Sequence, residues 1–136
     1  MKRYFVDAFY WIALFSHRDQ WHSRVLAFDA TLDDAPLYTT DEVLTEFLAF
    51  YSAADSALRT RAAALVQTIL DEGGTTVIPQ TRAGFLEALA LYQARPDKHY
   101  SLTDCGSMHA MRRAGLTDVL TNDHHFTQEG FRILFP

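Results

Sequence analysis

Four carboxylate side chains stand where an α/β protein could bring them to one site: Asp7, Glu46, Asp104 and Asp123. Two of them follow short apolar runs typical of buried strands, one opens a late helix, and one lies on an early helix. Such a group would repel itself unless it were neutralised, because neighbouring negative charges raise each other's pKa. Mg²⁺ accepts carboxylate oxygens and leaves positions open for a phosphate, and two ions about 4 Å apart can activate a water and stabilise a leaving oxygen. The pattern therefore indicates metal-dependent chemistry at a phosphate group.

Each of the three aspartates also has an ordinary structural explanation. Asp7 could cap the helix that follows it, and Asp104 could serve the first turn of its helix, three residues after Ser101 in a spacing similar to a capping box. Asp123 lies in "DVLTNDHHF", where Asn and Asp are typical turn residues. These alternatives stay open for each residue alone, and it is the four acids together that favour a site.

Glu46 lies on the border of the apolar stripe of its predicted helix. At about 100° per residue, the stripe comprises Val43, Phe47, Phe50 and Tyr51. A solvated helix would place a glutamate on the opposite side. Glu46 is therefore either an edge residue whose head reaches water or a partly buried carboxylate that needs a cation or hydrogen-bond donors.

Strand-like and helix-like stretches alternate along the chain, which predicts an α/β fold with a parallel sheet covered by helices on both faces. The predicted strands occupy residues 3–7, 36–40, 75–79, 118–122 and 132–135. The predicted helices occupy residues 8–15, 19–34, 41–53, 56–72, 81–95 and 104–115. Folds of this kind bind ligands beyond the carboxyl ends of their strands, where Asp7 and Asp123 would lie.

Length and composition favour one domain over residues 1–136, with enough apolar residues to form a core. The chain has 136 residues, of which 49% are hydrophobic, and a formal net charge of −5. This charge argues against a protein that coats nucleic acid non-specifically, but it is compatible with an enzyme whose acids surround cations. The single cysteine, Cys105, cannot form an internal disulfide, which suits a reducing compartment.

The amino-terminal stretch has only part of the pattern of a secretion signal. Lys2 and Arg3 precede an apolar stretch, but Asp7 interrupts it and no small-residue cleavage site follows. No run approaches the roughly 18 apolar residues of a transmembrane helix. We therefore expect a soluble, cytoplasmic protein without a membrane partner.

Four segments of the sequence resemble the PIN domain, and the chain length resembles that of the VapC-type toxins of bacterial toxin–antitoxin pairs. The segments are "YFVDAFYWIAL", "TDEVLTEFL", "YSLTDCGSMHAM" and "VLTNDHHF", in that order along the whole chain. The resemblance implies a three-layer α/β/α PIN-like fold with a mostly parallel central sheet of four to five strands. It also implies an acidic cleft that binds Mg²⁺ or Mn²⁺ and cleaves RNA, leaving a 5′-phosphate and a 3′-hydroxyl.

The resemblance assigns a role to each acid. Asp7, Asp104 and Asp123 would hold one ion, and Glu46 would share that ion or hold a second. All four would thus be metal ligands and catalytic residues, and a metal-activated water would attack the RNA phosphodiester in line.

Other residues near these segments are candidates for supporting roles. Thr121 and Ser101 match hydroxyl positions that support the acids or a metal-bound water in the family. The basic residues that flank Asp104 are candidates for holding RNA at the rim, and they are Arg95, Lys98, His99, Arg112 and Arg113. Arg112 and Arg113 could equally be a solvated helix end that interacts with the helix dipole.

Three neighbouring side chains are given no catalytic role. Adjacent residues seldom face one site, and no Cys or His stands at zinc-binding spacing, so His124 and His125 are interpreted as surface or rim residues. Cys105 is interpreted as a small buried side chain.

Three functions remain in competition. The first, which we favour, is a ribonuclease toxin that forms a homodimer and is inhibited by a cognate antitoxin. The second is a non-toxin PIN-type nuclease of RNA processing or decay. The third is a non-catalytic Mg²⁺-binding domain of receiver-like shape, but "TTVIPQ" ends without the acid, and "DVLTND" lacks the lysine, that a receiver would need.

Overall fold

The computed structural model describes residues 2–136, which form a five-stranded sheet and seven helices. The strands are β1 (Tyr4–Val6), β2 (Leu37–Thr40), β3 (Thr75–Ile78), β4 (Asp118–Leu120) and β5 (Arg132–Ile133). The helices are α1 (Ala8–Phe15), α2 (His22–Asp29), α3 (Asp41–Phe50), α4 (Ser56–Glu72), α5 (Arg82–Ala94), α6 (Leu102–Ala114) and α7 (His125–Gln128).

The sheet is parallel throughout the described residues, with the strand order β3-β2-β1-β4-β5. From β1 the chain moves to β2 and β3 on one side and then crosses to the other side for β4 and β5. A topological switch point therefore lies between β1 and β4, and α/β folds bind ligands in the crevice at such a point. The predicted parallel α/β/α fold is confirmed. The receiver-like alternative is wrong, because a receiver sheet has the order 2-1-3-4-5.

Helix boundaries follow the capping residues of the sequence. Thr40 and Asp55 accept hydrogen bonds from backbone N–H groups of the first turns of α3 and α4. Gly73 and Gly115 end α4 and α6 in the left-handed conformation, which glycine adopts at little cost. The caps thus account for the start of α3, which carries Glu46.

The core lies on both faces of the sheet and is rich in aromatic side chains. Phe5 and Val6 of β1 are fully buried, as is Cys105, which confirms its interpretation as a buried small residue. Edge-to-face contacts connect Phe28 with Phe135 at the end of the chain. Within residues 2–136, no helix is long and apolar enough to cross a lipid bilayer.

The structure differs from the sequence prediction at three points. Helix α2 covers only His22–Asp29 of the predicted 19–34, because turns flank it and Asp33 has a positive φ of 50°. Phe50, predicted on the apolar stripe, is 64% exposed, since Tyr51 at the end of α3 takes the buried position. Helix α7 was missed, because four residues are too few to show helical periodicity.

Candidate active site

The carboxyl ends of β1 and β4 open into an acidic cavity of about 680 Å³. Its lining is mostly polar and comprises Asp7, Phe9, Glu46, Ser101, Asp104, Thr121, Asn122, Asp123, His124, His125 and Gln128. The cavity thus brings together the four acids and the two hydroxyl residues singled out in the sequence. The expected convergence is confirmed, while their catalytic and metal-binding roles stay predictions.

Asp7 is the most buried of the four acids, with 6% of its surface exposed. It follows β1 directly and occupies the position before α1, yet its side chain makes no capping hydrogen bond. The helix-capping explanation is therefore wrong for the Asp7 carboxylate. Its place at the switch point instead directs it into the acidic cavity.

Thr121 connects Asp7 with the segment that carries Asp123. Its buried hydroxyl donates a 2.8 Å hydrogen bond to Asp7 Oδ2 and accepts one of 3.2 Å from the Asp123 backbone N–H. The sheet register produces this contact, because Val6 lies beside Leu120 and the next residue of each strand reaches the cavity. The predicted supporting residue is thus in place between two of the acids.

Asp123 is a turn residue and a cavity residue at once. Its Oδ1 accepts a 2.9 Å hydrogen bond from the backbone N–H of His125, two residues ahead, as in an Asx turn. The turn explanation given by the sequence is therefore correct, and it is also the means by which the backbone presents the carboxylate to the cavity.

Asp104 likewise combines a structural and a site position. Ser101 Oγ accepts the Asp104 backbone N–H at 3.0 Å, and Asp104 Oδ2 accepts the Ser101 backbone N–H at 2.9 Å, which completes a capping box at the start of α6. These two bonds hold the Asp104 carboxylate at the wall of the cavity.

Glu46 lies at the exposed margin of the cavity, on the side of α3 that faces the other acids. Partial burial raises the pKa of its carboxyl, and repulsion from Asp104 and Asp123 adds to the rise. Its exposure agrees with the explanation that Glu46 is an edge residue whose head reaches water, and this head lies at the cavity that holds the other acids.

The cavity carries an excess of negative charge. Burial raises the pKa of Asp7 to about 7 in spite of the Thr121 hydrogen bond, and repulsion from Glu46 and Asp104 contributes. Burial also raises the pKa of Asp104, with repulsion from Asp123 adding to it. Among residues 2–136, no lysine or arginine forms a salt bridge with any of the four acids. A bound cation would relieve this repulsion.

His125, interpreted from the sequence as a rim residue, belongs to the acidic cluster. Its Nδ1 lies 3.1 Å from Asp123 Oδ1 and 3.9 Å from Asp104 Oδ2, whereas His124 is exposed. Helix α7 explains the difference, since it begins between the two histidines and turns the second one inward. The signal that the sequence offered is the spacing Asp-x-His. An Asx turn at the aspartate brings the histidine two residues later close to the aspartate side chain.

The donor set of the cavity fits a divalent cation. One ligand atom each from Asp104, Asp123 and His125 lies within 4.8 Å of the other two. Carboxylate oxygens suit Mg²⁺ and Mn²⁺, and the buried Nδ1 atom of His125 makes no hydrogen bond that would compete for its lone pair. Asp7 and Glu46 line the same cavity but do not belong to this group of three.

None of the five basic residues predicted for the RNA-binding rim lines the acidic cavity, and three of them, Lys98, Arg112 and Arg113, make other contacts. Arg112 donates to Glu129, and Lys98 lies 3.8 Å from Asp97. Arg113 lines a separate, more apolar cavity of about 570 Å³ between α5 and α6, which contains none of the four acids. A role for the three at a more distant part of the RNA path stays a prediction.

Comparison with known proteins agrees with the fold. The model of the PIN domain family matches residues 4–131. The crystal structure of Mycobacterium tuberculosis VapC20, described as a sarcin–ricin loop cleaving toxin, is 23% identical over 94% of this chain and 95% of that chain, with a TM-score of 0.82. FitAcB from Neisseria gonorrhoeae is 13% identical over 96% and 95% of the respective chains, with a TM-score of 0.66. No curated protein sequence matches the chain.

Proposed function

Because the chain belongs to the PIN domain family, we propose that it is a metal-dependent endoribonuclease and the toxin of a toxin–antitoxin pair. The observation that carries this proposal is the convergence of four carboxylates, from four separate parts of the chain, on one cavity at the switch point. The likeness to VapC20, a toxin that cleaves RNA, supports the choice of substrate class. We further propose that residues 1–136 form one nuclease domain, since the family match covers residues 4–131.

Asp7, Asp104 and Asp123 are proposed to hold one Mg²⁺ or Mn²⁺ ion, and Glu46 to share it or to hold a second. When bound, such a cation supplies Lewis acidity toward a phosphodiester and the attacking water. The chain supplies the orientation of the ligands. Thr121 holds Asp7 through its hydroxyl, and the capping box with Ser101 holds Asp104. Glu46, at the exposed margin, lies where the RNA phosphate would enter.

An RNA-cleavage assay tests the proposal. Purified protein is incubated with an oligonucleotide of the sarcin–ricin loop and with an unstructured RNA, in Mg²⁺, in Mn²⁺ and in excess EDTA. We expect cleavage only with metal, and a loss of at least about 100-fold in Asp7→Asn and Asp123→Asn, the upper end of what changes around metal ligands cost. Asp97→Asn is the matched control, because its side chain is 75% exposed and lies outside the cavity.

Two outcomes would overturn the mechanism. Cleavage that persists in excess EDTA would exclude a metal-dependent site. Cleavage that survives both Asp7→Asn and Asp123→Asn would show that the acidic cavity is not where the reaction occurs.

Expression in bacteria separates a toxin from a nuclease of RNA processing. A toxin should arrest growth, Asp104→Asn should relieve the arrest, and co-expression of the cognate antitoxin should do the same. Normal growth of cells that contain active wild-type protein would favour the processing nuclease. We propose that the protein acts in the cytoplasm, where its RNA substrate is found.

We also propose a homodimer. Large apolar side chains remain on the surface, and Phe50, Leu86 and Tyr92 are 64%, 50% and 50% exposed. Such side chains are typical of protein–protein contacts when they form a patch. Sedimentation velocity of the purified chain measures the oligomeric state directly, and a concentration-independent monomer would contradict the proposal.

A further inference from the structure

His125 is positioned among the acids as a ligand would be. Its Nδ1 lies 3.1 Å from Asp123 Oδ1 and 3.9 Å from Asp104 Oδ2. Three donor atoms that lie within 4.8 Å of one another can surround a single cation at ordinary metal–ligand distances. The arrangement therefore offers two oxygen donors and one nitrogen donor to the same point.

The Nδ1 atom of His125 is buried and makes no hydrogen bond. The distance of 3.1 Å between His125 Nδ1 and Asp123 Oδ1 is short enough for a hydrogen bond, but the two groups are not aligned for one. Leaving a buried polar atom without a partner is unfavourable, and proteins seldom do so without a reason. A cation between His125 and the two aspartates would satisfy it.

The imidazole ring is held in this orientation from two sides. The Asx turn fixes its backbone, because the His125 N–H donates to Asp123 Oδ1 at 2.9 Å. On the other side the ring meets Tyr100 edge to face, with centroids 5.5 Å apart. The Tyr100 hydroxyl donates in turn to Glu129 Oε2 at 2.9 Å. These two contacts fix the backbone and the position of the ring, so the Nδ1 atom stays beside the two aspartates.

We propose that His125 is a nitrogen ligand of the cation held by Asp104 and Asp123, and that it makes the site select Mn²⁺ over Mg²⁺. The inference rests on the proposed metal-dependent function and deepens it. Mg²⁺ prefers oxygen ligands, whereas imidazole is a good ligand for first-row transition ions. A site with a nitrogen ligand therefore discriminates between Mn²⁺ and Mg²⁺ more strongly than a site made of carboxylates alone.

His124 provides a matched control. It is the same residue type one position earlier, but it is exposed and precedes α7. In the described part of the chain it makes no salt bridge with the acids. The variant His125→Phe keeps a ring against Tyr100 while removing both nitrogens. His124→Phe makes the same change at a residue that lines the cavity but is not one of the three whose donor atoms lie within 4.8 Å of one another.

The first experiment is pulsed electron paramagnetic resonance of Mn²⁺ bound to the full chain, which detects coupling to a coordinated ¹⁴N nucleus. We expect imidazole coupling in the wild type and in His124→Phe, and its loss in His125→Phe. Absence of coupling in the wild type, or its persistence in His125→Phe, would overturn the proposal. A wild-type spectrum without coupling overturns the proposal even if a variant fails to fold, and the loss of coupling in His125→Phe but not in His124→Phe assigns the ligand.

The second experiment is titration calorimetry with Mn²⁺ and Mg²⁺. Affinity for Mn²⁺ should fall by about 10-fold or more in His125→Phe, within the range known for changes around metal ligands, while affinity for Mg²⁺ should change little. Equal losses for both ions would contradict the selectivity. The two proposals can fail separately. If the proposed function is wrong but the ligand is right, the wild type binds Mn²⁺ through nitrogen and does not cleave RNA.

Discussion

The Thr121 hydroxyl donates a 2.8 Å hydrogen bond to Asp7 Oδ2 across the ends of two neighbouring strands, 114 residues apart in sequence. The oxygen of the Thr121 hydroxyl also accepts the backbone N–H of Asp123 at 3.2 Å. One buried side chain therefore sets the relative position of two predicted metal ligands.

Replacing Thr121 with valine removes these bonds and keeps the shape of the side chain. We expect Thr121→Val to weaken Mn²⁺ binding by about 10–100-fold, as loss of an outer-shell partner does. We also expect a loss of about 1–3 kcal/mol in the free energy of unfolding, because Asp7 keeps its burial without its donor. Titration calorimetry and urea unfolding measure the two effects.

The matched control is Thr39→Val. The Thr39 hydroxyl is also buried and donates to the carbonyl oxygen of Val6 at 2.9 Å, but it does not line the acidic cavity. This variant should lose comparable stability and retain Mn²⁺ affinity. Equal metal binding by both variants would contradict the role assigned to Thr121.

Asp7→Asn should stabilise the metal-free protein at neutral and higher pH. In the unfolded chain the carboxyl group loses its proton near pH 3.8, whereas in the folded chain its pKa is about 7. Between these values the folded state binds more protons, so the free energy of unfolding falls as the pH rises through this window. With 1.36 kcal/mol per pKa unit, the upper limit of this effect is about 4 kcal/mol.

Urea unfolding in EDTA at several pH values measures this difference. Wild type and Asp7→Asn should have similar stability near pH 4 and diverge up to about pH 7, with the variant more stable. Asp97→Asn, whose side chain is 75% exposed, should follow the wild type. Parallel profiles for wild type and Asp7→Asn would show that burial does not perturb the Asp7 carboxyl.

Ser101→Ala and Asp104→Asn should separate the structural role of the capping box from the role of the charge. Ser101→Ala removes a cap acceptor, which typically costs about 1 kcal/mol of stability. Asp104→Asn retains an oxygen that can accept the Ser101 N–H, so its stability should change less. RNA cleavage should show the reverse order, with a loss of at least about 100-fold in Asp104→Asn and less than about 10-fold in Ser101→Ala. If the two variants lost activity equally, Asp104 would act through the helix alone.

Glu129 should contribute stability that is lost in acid. Its side chain is 5% exposed and accepts hydrogen bonds from Arg95, Arg112 and Tyr100. Burial opposes the charge, but these hydrogen bonds lower the pKa of Glu129 to about 2 from 4.5. A lowered pKa means that the contribution is complete above about pH 4.5 and disappears as the pH falls toward 2.

Glu129→Gln should therefore lower the free energy of unfolding by roughly 2–3 kcal/mol at pH 7, less than for a fully buried pair because both arginines are partly exposed. The difference should shrink as the pH falls from 4.5 to 2. Asp118→Asn is the control, since Asp118 pairs with Arg132, which is 58% exposed. A Glu129→Gln variant as stable as Asp118→Asn would contradict the role of this network.

The sequence predicted the fold where local signals and global arrangement agree. The strand and helix alternation, the caps at Thr40 and Asp55 and the glycines after α4 and α6 all have local physical causes. Each acid also had a local explanation, and for Asp104 and Asp123 that explanation is correct. What local reasoning lacked was the order of strands in the sheet, which decides that the ends of β1 and β4 meet.

His125 and the basic residues show where sequence reasoning stopped. A four-residue helix gives no periodicity, so nothing indicated that His125 turns toward Asp104 while His124 does not. Position in the chain near Asp104 suggested that Arg112 faces RNA, but on α6 it projects toward Glu129 instead. The directions of the His125 and Arg112 side chains cannot be derived without knowing how α7 and the residues after it pack against the end of the sheet.

The central place of β1 makes the cavity depend on contacts between residues that are far apart in sequence. Asp7 follows β1 and Thr121 follows β4, and their hydrogen bond joins residues 114 positions apart. Closing a long segment of chain costs conformational entropy before such a contact contributes stability, so pairing of distant parallel strands is slow. The cavity therefore forms only when β1 and β4 pair, and a chain with its helices formed but its sheet incomplete has no acidic site.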